Sequence, residues 1–285
     1  MHNATGDPAF DGTVEQALVI GLEQSPAIRI VSEHEVVRTL RLMQRPADTR
    51  LTPGVAWDVC RRTIARAVLG GSVSMLGRDY VVGLNAVDCH TGEPIARQQV
   101  RASRKEDVLA ALDSALPEIR RRLGEPRTSI DRFDTRVHET LTTGSLEAFE
   151  AYTRGERNAI ARGGASNVPF FQRALELDPE FAYAHAALGL VFGTMGENAR
   201  SIAHTRRAFA LRDRVSEWER FFITAQYHDR VTGELDKVVD TCDIWIQTYP
   251  GDRTAHNRLA AAYNQLGRPA QALSLIHISE PTRPY

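Results

Sequence analysis

FAYAHAALGLVFGTMG (residues 181–196) and DRTAHNRLAAAYNQLG (residues 252–267) decide how this chain folds. Laid over each other at an offset of 71, they pair Ala184 with Ala255, His185 with His256, Leu188 with Leu259, Phe192 with Tyr263, Met195 with Leu266 and Gly196 with Gly267. Upstream, Pro179 pairs with Pro250. Gly233 lies 34 residues before Gly267 and 37 after Gly196, so a third unit sits between them. Its three extra residues are expected in the connection near 211–216.

A period near 34 with small and large apolar residues at fixed places is that of the tetratricopeptide repeat, a pair of antiparallel helices. Small Gly189 and Ala260 let backbones approach, and Phe192 and Tyr263 fill the space between helices. Glycine at 196, 233 and 267 suits the left-handed residue that ends a first helix. Pro179 and Pro250 stop the second helices, because proline lacks an amide hydrogen and clashes with the preceding turn. An earlier repeat precedes these: residues 145–161 read as a first helix capped by Ser145, Gly163-Gly164 as the turn, and residues 167–177 as a second helix with Phe171, Ala174 and Leu175 on one face. The expected all-α solenoid spans residues 145–272, three repeats and a partial fourth. The string LSLIHISEPTRPY (273–285) resembles a translated sequencing adapter and is set outside fold reasoning.

Residues 1–135 have another rhythm and predict an α/β domain with a small mixed sheet. Helices are expected at 13–24, 33–43, 52–63 and 105–123, the third entered through Pro53. Residues 28–31 read as a short strand. Three longer strands follow at 67–74, 80–88 and 95–101, joined by turns at Gly77-Arg78-Asp79 and His90-Thr91-Gly92-Glu93. Residues 136–144 read as a linker, with Asp131, Asp134, His138 and Glu139 as its solvated polar cluster.

The run NATGDPAFDGT (3–13), with QAL (16–18), LEQSP (22–26), residues 67–76 and AVDCHTG (86–92), carries a family resemblance. It resembles the TolB-amino-terminal-like α/β domain that precedes tetratricopeptide repeats in acidobacterial-type serine/threonine protein kinases and winged-helix regulators. The resemblance covers nearly all of residues 3–272. It implies a bacterial signalling protein whose kinase or winged-helix domain lies upstream, and a β-strand leading directly into the Asn3 run. That strand is expected to be missing here. Family members with a membrane helix imply an extracytoplasmic setting, the alternative to a cytoplasmic one; the cysteines read as isolated, half-buried thiols, and a Cys60–Cys89 bridge is possible only outside the cytoplasm.

Thirty-five basic residues balance 36 acidic ones, a net charge of −1, which gives no reason to expect a nucleic-acid surface. No apolar run approaches the roughly 20 residues that span a bilayer. The three cysteines, Cys60, Cys89 and Cys242, lack zinc-site spacing, and no cofactor is implied. Gly70-Gly71-Ser72-Val73 is followed by neither a strand lysine nor a catalytic-loop aspartate, so it reads as strand glycines and not a phosphate loop. His185 and His256 share a repeat position, which predicts packing and not a metal pair. Arg101, Arg104, Lys105 and Arg120-Arg121-Arg122 interleave with acids and read as a solvated face. What remains is the face of the repeats' first helices, where an extended peptide or protein partner is expected. Helical phase places Tyr183, Ala186, Leu190, Thr254, Asn257, Ala261 and Asn264 there, with Asn257, Arg258 and Asn264 able to hydrogen-bond a peptide backbone or carboxylate. The chain itself is expected to be non-catalytic.

Overall fold

Side chains alternate through residues 67–102, and a sheet forms there. In the computed structural model, which describes residues 1–23, 25–47, 49–133, 143–162 and 164–279, four strands lie in the order β1 (His2–Asn3), β2 (Ala67–Leu76), β3 (Asp79–Asp88) and β4 (Pro94–Ala102). β1 pairs parallel with β2, His2 opposite Ser72 and Asn3 opposite Val73, while β2–β3 and β3–β4 are antiparallel. Gly77 takes a left-handed φ of 65° in the first hairpin turn, which costs a residue without a Cβ little. In the second turn, the Asp88 carboxylate accepts the N–H groups of His90 and Thr91 at 2.8 and 3.0 Å. Val73, Val82, Leu84, Ala86 and Ala96 bury one face.

Three helices precede the long strands: α1 (Thr13–Glu23), α2 (Glu33–Leu42) and α3 (Pro53–Arg62). α4 (Val108–Arg122) packs on β3 and β4, burying Val108, Leu112 and Ile119 completely. The short α5 (Arg127–Arg132) follows it. Residues 28–31 form no strand; they are irregular and pair with no ladder. Beside β2 the described ladder is two residues long, His2 and Asn3 opposite Ser72 and Val73, directly ahead of the Asn3 run. The run after it folds on its own polar side chains. Asn3 donates to the Asp7 carbonyl and the Asp11 carboxylate, both at 2.8 Å, and accepts from the Thr5 hydroxyl at 2.7 Å. Asp7 in turn accepts from the Ala9 N–H at 2.9 Å and pairs with Lys105 at 3.0 Å. These residues build a loop, and their spacing is that of its hydrogen bonds.

The solvated-face reading of the basic run holds for Arg104, Arg121 and Arg122, which pair with Asp107 or Glu118 at the surface. It fails for Arg120. That side chain is 3% exposed and forks onto Glu125, itself 0% exposed. Ser25 and Ser129 also donate to this carboxylate. The reason is helical phase: Arg120 follows Leu116 by one turn on the buried side of α4. Cys60 on α3 is joined to Cys89 after β3 by a disulfide, at a Cα separation of 6.1 Å that suits such a bridge. The Trp57 indole donates to the Cys89 carbonyl at 2.6 Å.

A boundary between Val137 and His138 separates this unit from a second, wholly helical one. It falls within residues 134–142, which with Gly163 lie outside the described residues. So residues 136–142 of the expected linker, the cluster partners Asp134, His138 and Glu139, and Gly163 of the glycine turn lie outside the described residues. Four antiparallel pairs follow: α6 (Leu146–Arg162) with α7 (Val168–Leu177), α8 (Ala182–Thr194) with α9 (Asn198–Ala210), α10 (Glu217–Tyr227) with α11 (Leu235–Thr248), and α12 (Arg253–Gln265) with α13 (Pro269–Ser279). Ser145 accepts the Ala148 N–H at 3.1 Å and starts the series. Gly196, Gly233 and Gly267 close the first helices of the later pairs with φ of 77°, 70° and 70°.

Two features depart from expectation. The additional residues of the middle repeat are shared between two places. The 211–216 link is longer than its counterparts at 178–181 and 249–252, and α10 widens into a π-helical turn at His228–Thr232. A π turn absorbs an insertion without breaking the helix. Second, α13 continues through Ser279, beyond Ala272 where the repeat pattern fades, and Leu275 packs on the core of Ala225, Val238, Cys242, Leu259 and Ala262. Leu275 lies three residues after buried Ala272, on the same helical face.

Candidate functional site

The first helices of the pairs carry a run of aromatic rings. Tyr152 on α6 lies 5.6 Å from Tyr183 on α8, and Tyr183 lies 6.1 Å from Trp218 and 5.4 Å from Phe222 on α10. Trp218 meets Trp245 of α11 edge-on at 5.4 Å, a favourable geometry for aromatic quadrupoles. Its indole N–H donates to the Asp252 carboxylate, which also caps α12 through the Ala255 N–H. The capping box of Ser216 and Glu219 sets where α10 begins, and so where Trp218 and Phe222 project.

Arg258 closes this run. Its guanidinium carbon lies 4.2 Å from the Phe222 ring centre. The side chain is half-buried and has no hydrogen bond or ion pair among the described residues. Burial presses its pKa below the ordinary arginine value, partly offset by the nearby Cys242 and Asp229; at neutral pH it remains a cation. Arg230, in the π turn, lies 3.1 Å from Asp229, yet its buried Nε makes no hydrogen bond among the described residues. A cavity of about 450 Å³ opens beside it, lined by Asn198, Ser201, Ile202, Asp229, Arg230 and Gln265.

The sequence-derived residues distribute as follows. Tyr183 and Arg258 come together through Phe222, on which both pack. Leu190 and Thr254 are half-buried, and Asn257, Ala261 and Asn264 are exposed. Ala186 does not line the face; it is 1% exposed, and its carbonyl accepts the Gln226 amide at 2.9 Å. Trp218 and Phe222 were missed, although aligning Gly233 with Gly196 sets them level with Phe181 and His185. The histidines pack differently. His185 Nδ1 meets His204 Nδ1 at 3.0 Å, whereas His256 Nδ1 meets the Asp252 carbonyl at 2.7 Å. Among the described residues no three His, Cys, Asp or Glu side chains converge to hold a metal ion, and no helix is long and apolar enough to cross a membrane.

No protein-family model and no curated protein matches the chain. Among solved structures, it is similar in part to YrrB, described as a TPR protein with an unusual peptide-binding site, at 17% identity over 62% of this chain and 86% of that one, with a TM-score of 0.33. It is also similar in part to MamA (18%, 57% and 91%, TM-score 0.31) and to the LpoB C-terminal domain from Salmonella enterica (18%, 36% and 78%, TM-score 0.34). Likeness at this level carries no functional argument; the residues above must supply it.

Proposed function

We propose that the second unit is a non-catalytic protein-interaction module. Its first-helix face holds an extended peptide, with Arg258 receiving a carboxylate. The observation that carries this is the half-buried Arg258, stacked on Phe222 with no hydrogen bond or ion pair to a carboxylate among the described residues. A cation withdrawn from water gains most from a partner that brings its own negative charge. Exposed Asn257 and Asn264, with Thr254 beside them, offer amide and hydroxyl groups to a peptide backbone. Tyr183 and Leu190 offer apolar surface one repeat earlier. The resemblance of residues 3–272 sets this module in a bacterial signalling protein, with a serine/threonine kinase domain or a winged-helix domain as the effector it serves.

The test is retention of random nonapeptides on immobilised protein, from one library with free C-termini and from the same library amidated. Peptides rich in carboxylates, at the C-terminus or on side chains, are expected to be retained. Arg258→Gln is expected to weaken that retention at least about tenfold, the worth of one charge-assisted hydrogen bond, with Tm unchanged. Equal retention by the variant overturns the reading.

A further inference from the structure

The π turn at His228–Thr232 brings Asp229 and Arg230 to the wall of one cavity. Adjacent residues of a regular helix do not face each other, yet here the Arg230 Nε lies 3.1 Å from an Asp229 carboxylate oxygen. The two are not joined: that Nε is buried and makes no hydrogen bond among the described residues. The guanidinium lies where Gly193 leaves room, since a Cβ there would stand 2.9 Å from Nη1 and 3.2 Å from Cζ. The Arg230 and Asp229 side chains are 34% and 23% exposed, so both charges have lost part of their water. The cavity is about 450 Å³, at the small end of ligand pockets. Asn198 and Gln265 line it with side-chain amides that make no hydrogen bond among the described residues, and Ile202 adds apolar surface.

We propose that this cavity binds a free α-amino acid, its carboxylate on Arg230 and its ammonium on Asp229. A zwitterion brings the same two charges in reverse, so each half-buried charge gains a partner and none is left over. A simple anion would meet Arg230 but be repelled by Asp229 3.1 Å away, and a simple cation would meet the reverse. The planar guanidinium fork matches a carboxylate. The inner residues of a peptide carry neither terminal charge, which separates this site from the groove at Arg258. Asn198 and Gln265 can each donate and accept, so they select an uncharged polar side chain. A carboxamide, as in glutamine or asparagine, meets both functions. Ser201 adds nothing to that selection, because its hydroxyl is already given to the Gly189 carbonyl at 2.7 Å.

The test adds L-glutamine to the full chain and follows binding by titration calorimetry. Saturable binding is expected, with a rise in the Tm of the second unit. N-acetyl-L-glutamine lacks the ammonium and the α-amide of L-glutamine lacks the carboxylate; each is expected to bind at least about tenfold more weakly. These comparisons use the unaltered protein, so no variant has to fold. Arg230→Gln and Asp229→Asn should each weaken L-glutamine at least about tenfold as well. Absence of saturable binding of both L-glutamine and L-asparagine up to about 10 mM overturns the proposal. So does unchanged affinity in either variant. Binding that survives the loss of one ligand charge also overturns it, in favour of a simple anion or cation site.

Discussion

The side-chain amide of Gln226 donates to the backbone carbonyl of Ala186 at 2.9 Å, and to the Thr205 hydroxyl at 3.2 Å. Gln226 is 0% exposed, yet it stands at the position where neighbouring repeats have small Gly189 and Ala260. It fits because Gly189 leaves the space: a Cβ there would lie 2.9 Å from the Gln226 amide nitrogen and closer still to the Thr205 hydroxyl. Glycine in one repeat and glutamine in the next thus form a single polar key between α8, α9 and α10.

Gln226→Ala is therefore expected to lower the stability of the second unit by about 1–3 kcal/mol, through a lost buried hydrogen bond and a small void. Gly189→Ala should cost as much, because it collides with the same key. Combining the two should fall short of the sum, since both break one contact. Urea unfolding followed by the fluorescence of Trp218 and Trp245 measures all three.

Glu125→Ala is expected to destabilise the first unit by about 3–5 kcal/mol, because it strands the buried Arg120 cation. Replacing both partners, as Arg120→Met with Glu125→Leu, should recover much of that loss. The pair sits 3% and 0% exposed, so added salt should change its effect little. Trp57 fluorescence in urea, with and without salt, checks this.

The Cys60–Cys89 bridge closes a sequence separation of 29, which predicts about 3–4 kcal/mol of stabilisation lost on reduction. Under denaturing, non-reducing conditions, alkylation is expected to label Cys242 alone. In the native chain Cys242 resists as well, since burial raises its thiol pKa to about 12 and little thiolate forms. Labelling of all three cysteines before reduction contradicts the bridge.

Burial lowers the His185 pKa to about 4, helped by the charge of His204 and Arg207 and opposed by the Pro179 carbonyl and Asp178. His204 is lowered too, by burial and then by Arg200. The unfolded histidine titrates near about 6.5, so between the two values the unfolded chain binds more protons. The contribution is complete above about pH 6.5 and is lost as pH falls through about 4. The Tm of the second unit should drop across that window, and His185→Gln should flatten the drop. Carboxylates elsewhere titrate alike in both proteins, so the difference between the two curves is the reading.

Sequence alone determined whatever depends on neighbours along the chain. Helical phase and recurring glycines placed the paired helices of residues 145–272, and alternation with turn residues placed β2, β3 and β4. Both signals are local, because a 3.6 or 2.0 period records which side of an element is buried. Phase also set Tyr183 and Thr254 on one face, and the side-chain chemistry of Arg258 marked it as a peptide contact. Tertiary structure alone decided what they meet there. Phe222, the ring between them, belongs to the repeat whose spacing is irregular; the 37-residue spacing announced the longer link near 211–216, but no period announced the π turn at His228–Thr232. The same holds for Arg120, whose charge reads as solvent-facing until Glu125, Ser25 and Ser129 close around it. It holds for residues 28–31 too, apolar enough for a strand but left without a ladder. A residue's partner across space is fixed by packing many elements at once, and that information is spread over the whole chain.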